Sequence, residues 1–311
     1  MDNVNVLYCF DSNSWKMAAV SIESLLLNAN TSTQITIYCL VAPRTNGYRK
    51  IKRIVKSHKS GKKLVWKEIT AEENPFEKTE LSKYGSSNFI RCIAHRFCKD
   101  TDKILYLSND TLIYHDLAEL FLTDIEDYAF AAVYDMAPVN DVNNSLGASI
   151  KDFSQKYLNN GPYYNSGVLL LNLKQMAQNE HLLLENKTPL RYPEQDLLNT
   201  TFVGKIKTLP LKYNLAPGIG VPSHFTQEEA AEINSGKHVI VNCYYSNIKA
   251  YDKTTANKVV YGMFEKCAKN IGINPEIFMK SLKKQEPLKN TFIPHIKTRG
   301  KTILFFGIEI K

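Results

Sequence analysis

The chain has 311 residues, is 44% hydrophobic and 23% charged, and carries a formal net charge of +8. That is enough sequence to bury a full core, in the composition of a soluble globular protein. No run of about 18 apolar residues predicts a transmembrane helix, and Met1-Asp2-Asn3-Val4 has no basic stretch ahead of an apolar one, so no secretory signal is expected. In chain order, Val4 to Phe10 is a short apolar run predicted as a strand and ending at Asp11. Ala18, Ile22, Leu25 and Leu26 then recur at helical spacing. Ile35 to Val41 reads as a second strand, Arg44 to His58 as a basic helix and Leu64 to Ile69 as a third strand. Phe89 to Phe97 is expected to be a helix leading into the strand Lys103 to Leu107, and Ala129 to Tyr134 a strand ending at Asp135.

The second half is more mixed. Gly167 to Leu173 reads as a buried strand, and Pro193-Glu194-Gln195-Asp196 as a helix start with acidic residues in its first turn. Pro210, Pro217, Gly218, Gly220 and Pro222 mark an irregular loop, His238 to Cys243 a late strand, and Thr255 to Lys269 and Pro275 to Lys284 helices. Strands alternating with helices predict an α/β fold: a Rossmann-like, mostly parallel sheet flanked by helices, with a small C-terminal helical and basic extension. The expected organisation is one domain over 1–284, in two halves at 1–135 and 136–284. A basic, apolar tail at 285–311 begins with the linker Gln285 to Asn290. From Lys280 to Lys311 the chain holds eight Lys or Arg against two Glu, interleaved with residues such as Phe292, Leu304 and Phe305. That pattern fits peripheral contact with an anionic membrane ahead of a solvated tail whose final strand packs on the core, with nucleic acid third. The six cysteines show no paired metal spacing and read as reduced core residues of a cytosolic protein.

Polar residues stand where the apolar runs stop. Ile104-Leu105-Tyr106-Leu107 gives way to Ser108-Asn109-Asp110 before Thr111-Leu112-Ile113 resumes. Asp11 and Asn13, Asp135, Asn165, and Glu194 to Asp196 take similar places. In a doubly wound sheet such ends converge on one crevice at the carboxyl edge, where ligands bind, and a carboxylate there can hold a divalent cation against a diphosphate. No GxGxxG follows the first strand and there is no P-loop, so a nucleotide held here needs a metal or basic side chains for its phosphates. Singly, Asp11 could cap the following helix, Asp110 could be a turn residue, and Glu194 and Asp196 could favour a helix N-terminus.

Taken together these residues resemble glycosyltransferase family 8, which includes bacterial lipooligosaccharide galactosyltransferases and glycogenin. The resemblance runs from the first strand to about Tyr251. The family's uracil-contacting Asp and Asn stand at Asp11 and Asn13. Its Tyr-Ala-Arg-Leu signature appears as Phe89-Ile90-Arg91-Cys92, its Tyr-Leu-Asp-x-Asp motif as Tyr106-Leu107-Ser108-Asn109-Asp110, and its next strand-end Asp as Asp135. The Asn-Ala-Gly-Val-Leu-Leu-x-Asn-Leu block matches Asn165-Ser166-Gly167 through Leu173, and the Asp-Gln-Asp block matches Glu194-Gln195-Asp196, followed by Leu198-Asn199. The departures concern the metal. Ser108 replaces the first metal Asp, Asn242 stands where the C-terminal metal His falls, and Lys249 with Tyr251 only loosely matches the end of that motif.

The resemblance implies a GT-A-type fold and a retaining transferase that moves a hexose from a UDP-sugar to a glycan or glycolipid acceptor in lipopolysaccharide, lipooligosaccharide or capsule synthesis. The alternative is a catalytically impaired nucleotide-sugar-binding subunit of a polysaccharide assembly complex. The implied roles are Asp110, Ser108 and Asn242 for a weakly held Mn²⁺ or Mg²⁺, with Asn109 able to add an amide oxygen. Arg91 and Lys249 face the diphosphate. Asp135, Asn165, Glu194 and Gln195 hold the sugar and Ser166 contacts the donor, with Gln195, Asp135 and Arg91 carrying the chemistry, while Asp11 and Asn13 select the base; the resemblance thus makes 1–135 the nucleotide-binding half and 136–284 the sugar and acceptor half. The expected location is the cytoplasm, at the inner face of the membrane.

Overall fold

The first apolar run forms β1 (Asn3–Phe10), a strand without a polar face after its first residue, because both of its sides are covered. The structure is a computed structural model describing residues 3–58, 61–135, 152–188, 190, 192–215, 238–243, 258–278, 303–305 and 308–310. Val4, Val6, Tyr8 and Phe10 enter one hydrophobic cluster and Leu7 and Cys9 the other, the two-residue alternation of a central strand. The remaining strands are β2 (Gln34–Val41), β3 (Lys62–Glu68), β4 (Lys103–Leu107), β5 (Thr111–Ile113), β6 (Phe130–Tyr134), β7 (Tyr164–Asn172), β8 (Ile206–Thr208) and β9 (Ile240–Asn242).

Seven of them form one sheet in the order β3-β2-β1-β4-β7-β6-β8. Every neighbouring pair is parallel except those of β7, which runs against β4 and β6. The expected mostly parallel sheet is therefore present, with one reversal that the apolar run of β7 did not announce. That reversal matters for the site: the beginning of β7 lies at the edge where β1, β4 and β6 end. A separate ribbon pairs β5 with β9, Thr111 opposite Asn242.

The helices are α1 (Trp15–Asn28), α2 (Tyr48–Ser57), α3 (Ala118–Phe121), α4 (Leu173–Gln178), α5 (Glu180–Leu184), α6 (Pro193–Thr201) and α7 (Lys258–Asn270). Residues of α1, α2, α7 and the β5–β9 ribbon cluster on one face of the sheet, and those of α4, α5, α6 and the segment 75–98 on the other. Glu23 of α1 is buried and accepts from His58 Nε2 (2.9 Å) and Asn270 Nδ2 (3.1 Å), which ties the ends of α2 and α7 to α1.

The helix expected over Phe89 to Phe97 is present in the 3-10 form, Ser86–Arg96, interrupted at Ile93 (φ −116°, ψ 20°). A three-residue repeat stacks Phe89 over Cys92 and Ile90 over Ile93, and all four are buried. The same repeat turns Arg91 into a column of its own. All six cysteines are free and buried. Burial pushes the thiols of Cys92, Cys98 and Cys267 up to about 12, which suits packing and not nucleophilic work. In the tail, β10 (Ile303–Phe305) and β11 (Ile308–Ile310) pair antiparallel. The predicted linker Gln285 to Asn290 lies outside the described residues.

Candidate active site

The site is built on a wide bulge in β7. Tyr134 of β6 faces Tyr164, yet Ala132 faces Leu169, so Asn165, Ser166 and Gly167 leave the β6–β7 ladder together. Asn199 of α6 steadies the bulge by accepting from the Tyr164 N–H and donating to its carbonyl, both at 2.8 Å. Asp135, just past β6, is buried and accepts from Asn165 Nδ2 (3.1 Å) and Gln195 Nε2 (2.7 Å). Gln195 Oε1 in turn accepts from the Ser166 N–H (2.8 Å), so one turn of α6 clamps the strand end and the bulge at once. The chain of amides continues inward. Asn165 Oδ1 accepts from the Gly167 N–H and from Asn214 Nδ2, both at 2.8 Å, and Asn214 Oδ1 accepts from Asn242 Nδ2 at 2.9 Å.

Arg91 reaches the bulge from the opposite face of the sheet from α1. Its guanidinium lies 4.2 Å over the Tyr106 ring, donates from Nη1 to the Ser166 carbonyl (3.3 Å) and stands 3.7 Å from Glu194. Burial works against its charge, but Tyr106 and Glu194 outweigh burial and keep the group ionised. Its Nε is buried without a hydrogen-bond partner, leaving the site a cationic donor not fully satisfied by the protein.

At the end of β4, Ser108 Oγ donates to Asp110 Oδ1 (2.6 Å), and Asn109 Nδ2 donates to the Cys9 carbonyl (3.1 Å), which joins the ends of β4 and β1. The β5–β9 ribbon brings Asn242 to the same place, and the Cys243 N–H donates to the Asp110 carbonyl at 3.1 Å. Asn242 is 0% exposed, and its Oδ1, like Asn109 Oδ1, is buried without a hydrogen-bond partner. Among the described residues no group of three or more His, Cys, Asp or Glu side chains is arranged to hold a metal ion. Asn242 also explains Gly167: a Cβ there would lie 2.0 Å from Asn242 Nδ2 and 2.9 Å from Asn165 Oδ1. Gly167→Ala is expected to cost about 1–3 kcal/mol through overpacking, read as a lower urea midpoint with an unchanged m-value.

Asp11 and Asn13 close the turn before α1. Asp11 accepts from the N–H groups of Asn13 (2.9 Å) and Ser14 (3.0 Å), from Ser14 Oγ and from Asn13 Nδ2. Burial acts upward on its pKa, but these hydrogen bonds outweigh it and hold the carboxyl below its ordinary value. The Asp11 carboxylate thus orders the turn leading into α1, whose N-cap is Ser14, and among the described residues its hydrogen-bond partners all belong to that turn. Asp196, grouped with the sugar-facing residues by sequence, points elsewhere: its carboxylate accepts from Tyr163 Oη (2.5 Å) and the Tyr192 N–H (2.8 Å) and braces the start of α6. The structure therefore gathers Arg91, Asp135, Asn165, Ser166, Glu194 and Gln195 into one network and sets Ser108, Asn109, Asp110 and Asn242 beside it. Lys249 lies outside the described residues. Asn214 has no signal in the sequence because it lies within the irregular stretch that begins at Pro210 and carries no motif.

A sheet with this order, one reversed strand and polar groups at its carboxyl edge defines an α/β fold of the GT-A glycosyltransferase type. Similar solved structures share it: the bifunctional glycosyltransferase WbbM in its apo form (TM-score 0.71, 20% identity, 92% of this chain and 52% of that one), and the galactosyltransferase LgtC in complex with donor and acceptor sugar analogues (TM-score 0.65, 19% identity, 89% of this chain and 99% of that one). The sequence profile of glycosyl transferase family 8 matches residues 5–257, and the chain belongs to that family. Two lipopolysaccharide 1,2-glucosyltransferases of Escherichia coli are also similar. The one from strain K12 is 25% identical over 219 residues, covering 68% of this chain and 62% of the relative. The other is 27% identical over 223 residues, with the same coverage of 68% and 62%. The matched region thus spans about three-fifths of the length of these curated relatives.

Proposed function

We propose that the chain is a glycosyltransferase moving a hexose from a UDP-sugar to a glycan or glycolipid acceptor of bacterial lipopolysaccharide or lipooligosaccharide, with retention at the anomeric carbon. One observation carries this reading: the buried Asp135 carboxylate is held between the Asn165 and Gln195 amides at the edge where Arg91 also arrives. A carboxylate fixed in this way keeps acceptor capacity for sugar hydroxyls without having to reorganise. In the transfer, the bond between sugar C1 and the diphosphate oxygen breaks and its electron pair leaves with UDP. The acceptor oxygen bonds to C1, and its proton passes to the departing phosphate oxygen. Arg91 offsets the charge that grows on the diphosphate, with Lys249 as a second cation. Gln195 lies beneath the reacting sugar, Asp135, Asn165, Ser166 and Glu194 orient it, and Asp11 with Asn13 faces the base.

The oxygen donors fit a weakly held hard cation. Ser108 donates its proton to Asp110 and so keeps its lone pairs, and the buried Asn242 Oδ1 has no hydrogen-bond partner. Asp110, Ser108 and Asn242 would hold Mn²⁺ or Mg²⁺, which when bound neutralises charge on the diphosphate. With one carboxylate in place of several charged ligands, affinity is low. UDP release from a panel of UDP-hexoses tests both parts. Turnover with at least one donor, lowered by EDTA and restored by Mn²⁺, is the expected result. Activity indifferent to EDTA contradicts the cation, and no turnover with any donor contradicts the enzyme. Asp110→Asn should lower kcat/KM by roughly 10²-fold and abolish the Mn²⁺ response, which electron paramagnetic resonance reads independently of activity.

A further inference from the structure

The helix α2 carries Arg49, Lys50, Lys52, Arg53 and Lys56 and no acidic residue in its ten positions. Ile51, Ile54 and Val55 are buried, whereas Arg49, Lys52, Arg53 and Lys56 are exposed at i, i+3, i+4 and i+7, one continuous cationic stripe. Among the described residues none of the five basic side chains forms an ion pair. Like charges at these spacings disfavour a helix, and a merely solvated face would ordinarily mix signs.

Three further observations place this stripe. The loop before α2 is bonded to the Asp11 turn, with the Asn46 N–H donating to Ser12 Oγ (3.1 Å) and Ser12 Oγ to the Arg44 carbonyl (3.3 Å), so α2 starts at the rim of the crevice. An exposed aromatic ring flanks it: Tyr48, 41% exposed and packed edge-on to Trp66 at 5.4 Å. The region after α7 is adjacent, because a Cβ on Gly272 would sit 3.5 Å from Lys50 Nζ and Lys16 Nζ lies 5.7 Å from the Phe278 ring. From there the chain enters the 280–311 stretch, with its eight Lys or Arg against two Glu.

We infer that the exposed face of α2 is a docking surface for an anionic phospholipid bilayer, and that docking turns the mouth of the crevice toward that bilayer. The lipid contact rests on the charge pattern, while its use in meeting a glycolipid acceptor rests on the transferase reading above. The buried side of α2 is already packed on the core, so attachment is electrostatic, with Tyr48 at the headgroup level and no insertion of the helix. Tyr48 at the edge of the stripe supplies an interfacial aromatic ring, and a bilayer asks only for a flat anionic surface.

Sedimentation of the full chain with vesicles tests this. The protein should pellet with phosphatidylcholine vesicles containing phosphatidylglycerol and not with phosphatidylcholine alone, and added salt should release it. The triple variant K52Q/R53Q/K56Q should bind the anionic vesicles on the order of 10²-fold more weakly, about fivefold per cation. Its slow transfer of sugar from the donor to water should match the parent. Three results overturn the inference: no binding of the parent to anionic vesicles, a triple variant that binds like the parent, or duplex DNA stripping the parent from vesicles at equal phosphate. If neither protein turns over any UDP-sugar while the vesicle difference persists, the transferase reading fails and the lipid surface stands.

Discussion

Asp135→Ala is expected to reduce kcat for UDP-sugar transfer by about 10²–10³-fold, the scale of removing a preorganised polar group from an active site. The cause is local. Asp135 accepts from Asn165 and Gln195, so its loss frees both amides and, through Gln195, the Ser166 N–H. Two buried donors left without their acceptor cost about 2–4 kcal/mol together, or roughly 3–7 °C in melting temperature for a domain of this size. Because the amide chain runs on through Asn165 to Asn214 and Asn242, the Mn²⁺ response should weaken as well. Steady-state kinetics paired with thermal melts check the result, and a variant that keeps kcat while losing stability would reduce Asp135 to a packing role.

Arg91→Met is the second large effect. The substitution takes a guanidinium from the face of Tyr106, from the Ser166 carbonyl and from the side of Glu194. Stability should fall by about 2–3 kcal/mol, below the figure for a fully buried pair because Glu194 retains some solvent. Turnover should fall by a further 10²-fold or more as the diphosphate loses its cation. Arg91→Lys should recover part of the rate but little of the stability, since a point charge cannot stack on Tyr106 and bond to Ser166 together. Full activity in Arg91→Met would remove Arg91 from the chemistry.

The parts of this arrangement legible in the sequence are those with local signals. The apolar runs of β1, β4 and β6 stop at Asp11, Ser108 and Asp135, and a sheet buried on both faces makes such stops easy to see. Motif blocks carried Gln195 and Asn165 to the same site. What sequence could not supply is the consequence of pairing between distant segments. The reversal of β7 and the bulge at 165–167 depend on which strands flank them. The β5–β9 ribbon that delivers Asn242 to Asp110 joins short strands far apart in sequence, and Asn214 acquires meaning only between Asn165 and Asn242. The run from Phe89 to Phe97 is apolar enough for an α-helix, and only packing on both sides of its columns selects the 3-10 form. Asp196 shows the opposite error: a motif neighbour of Gln195, it braces Tyr163 and Tyr192 instead of facing the crevice.

Titration calorimetry of the parent and of Asp135→Ala with UDP-glucose and UDP-galactose, in the presence of Mn²⁺, bears most directly on whether this edge of the sheet is a nucleotide-sugar site. Saturable one-to-one binding of at least one donor to the parent, strongly weakened in the variant while UDP alone still binds, is the predicted outcome. Donor binding of equal strength in both proteins, or none in either, would contradict it.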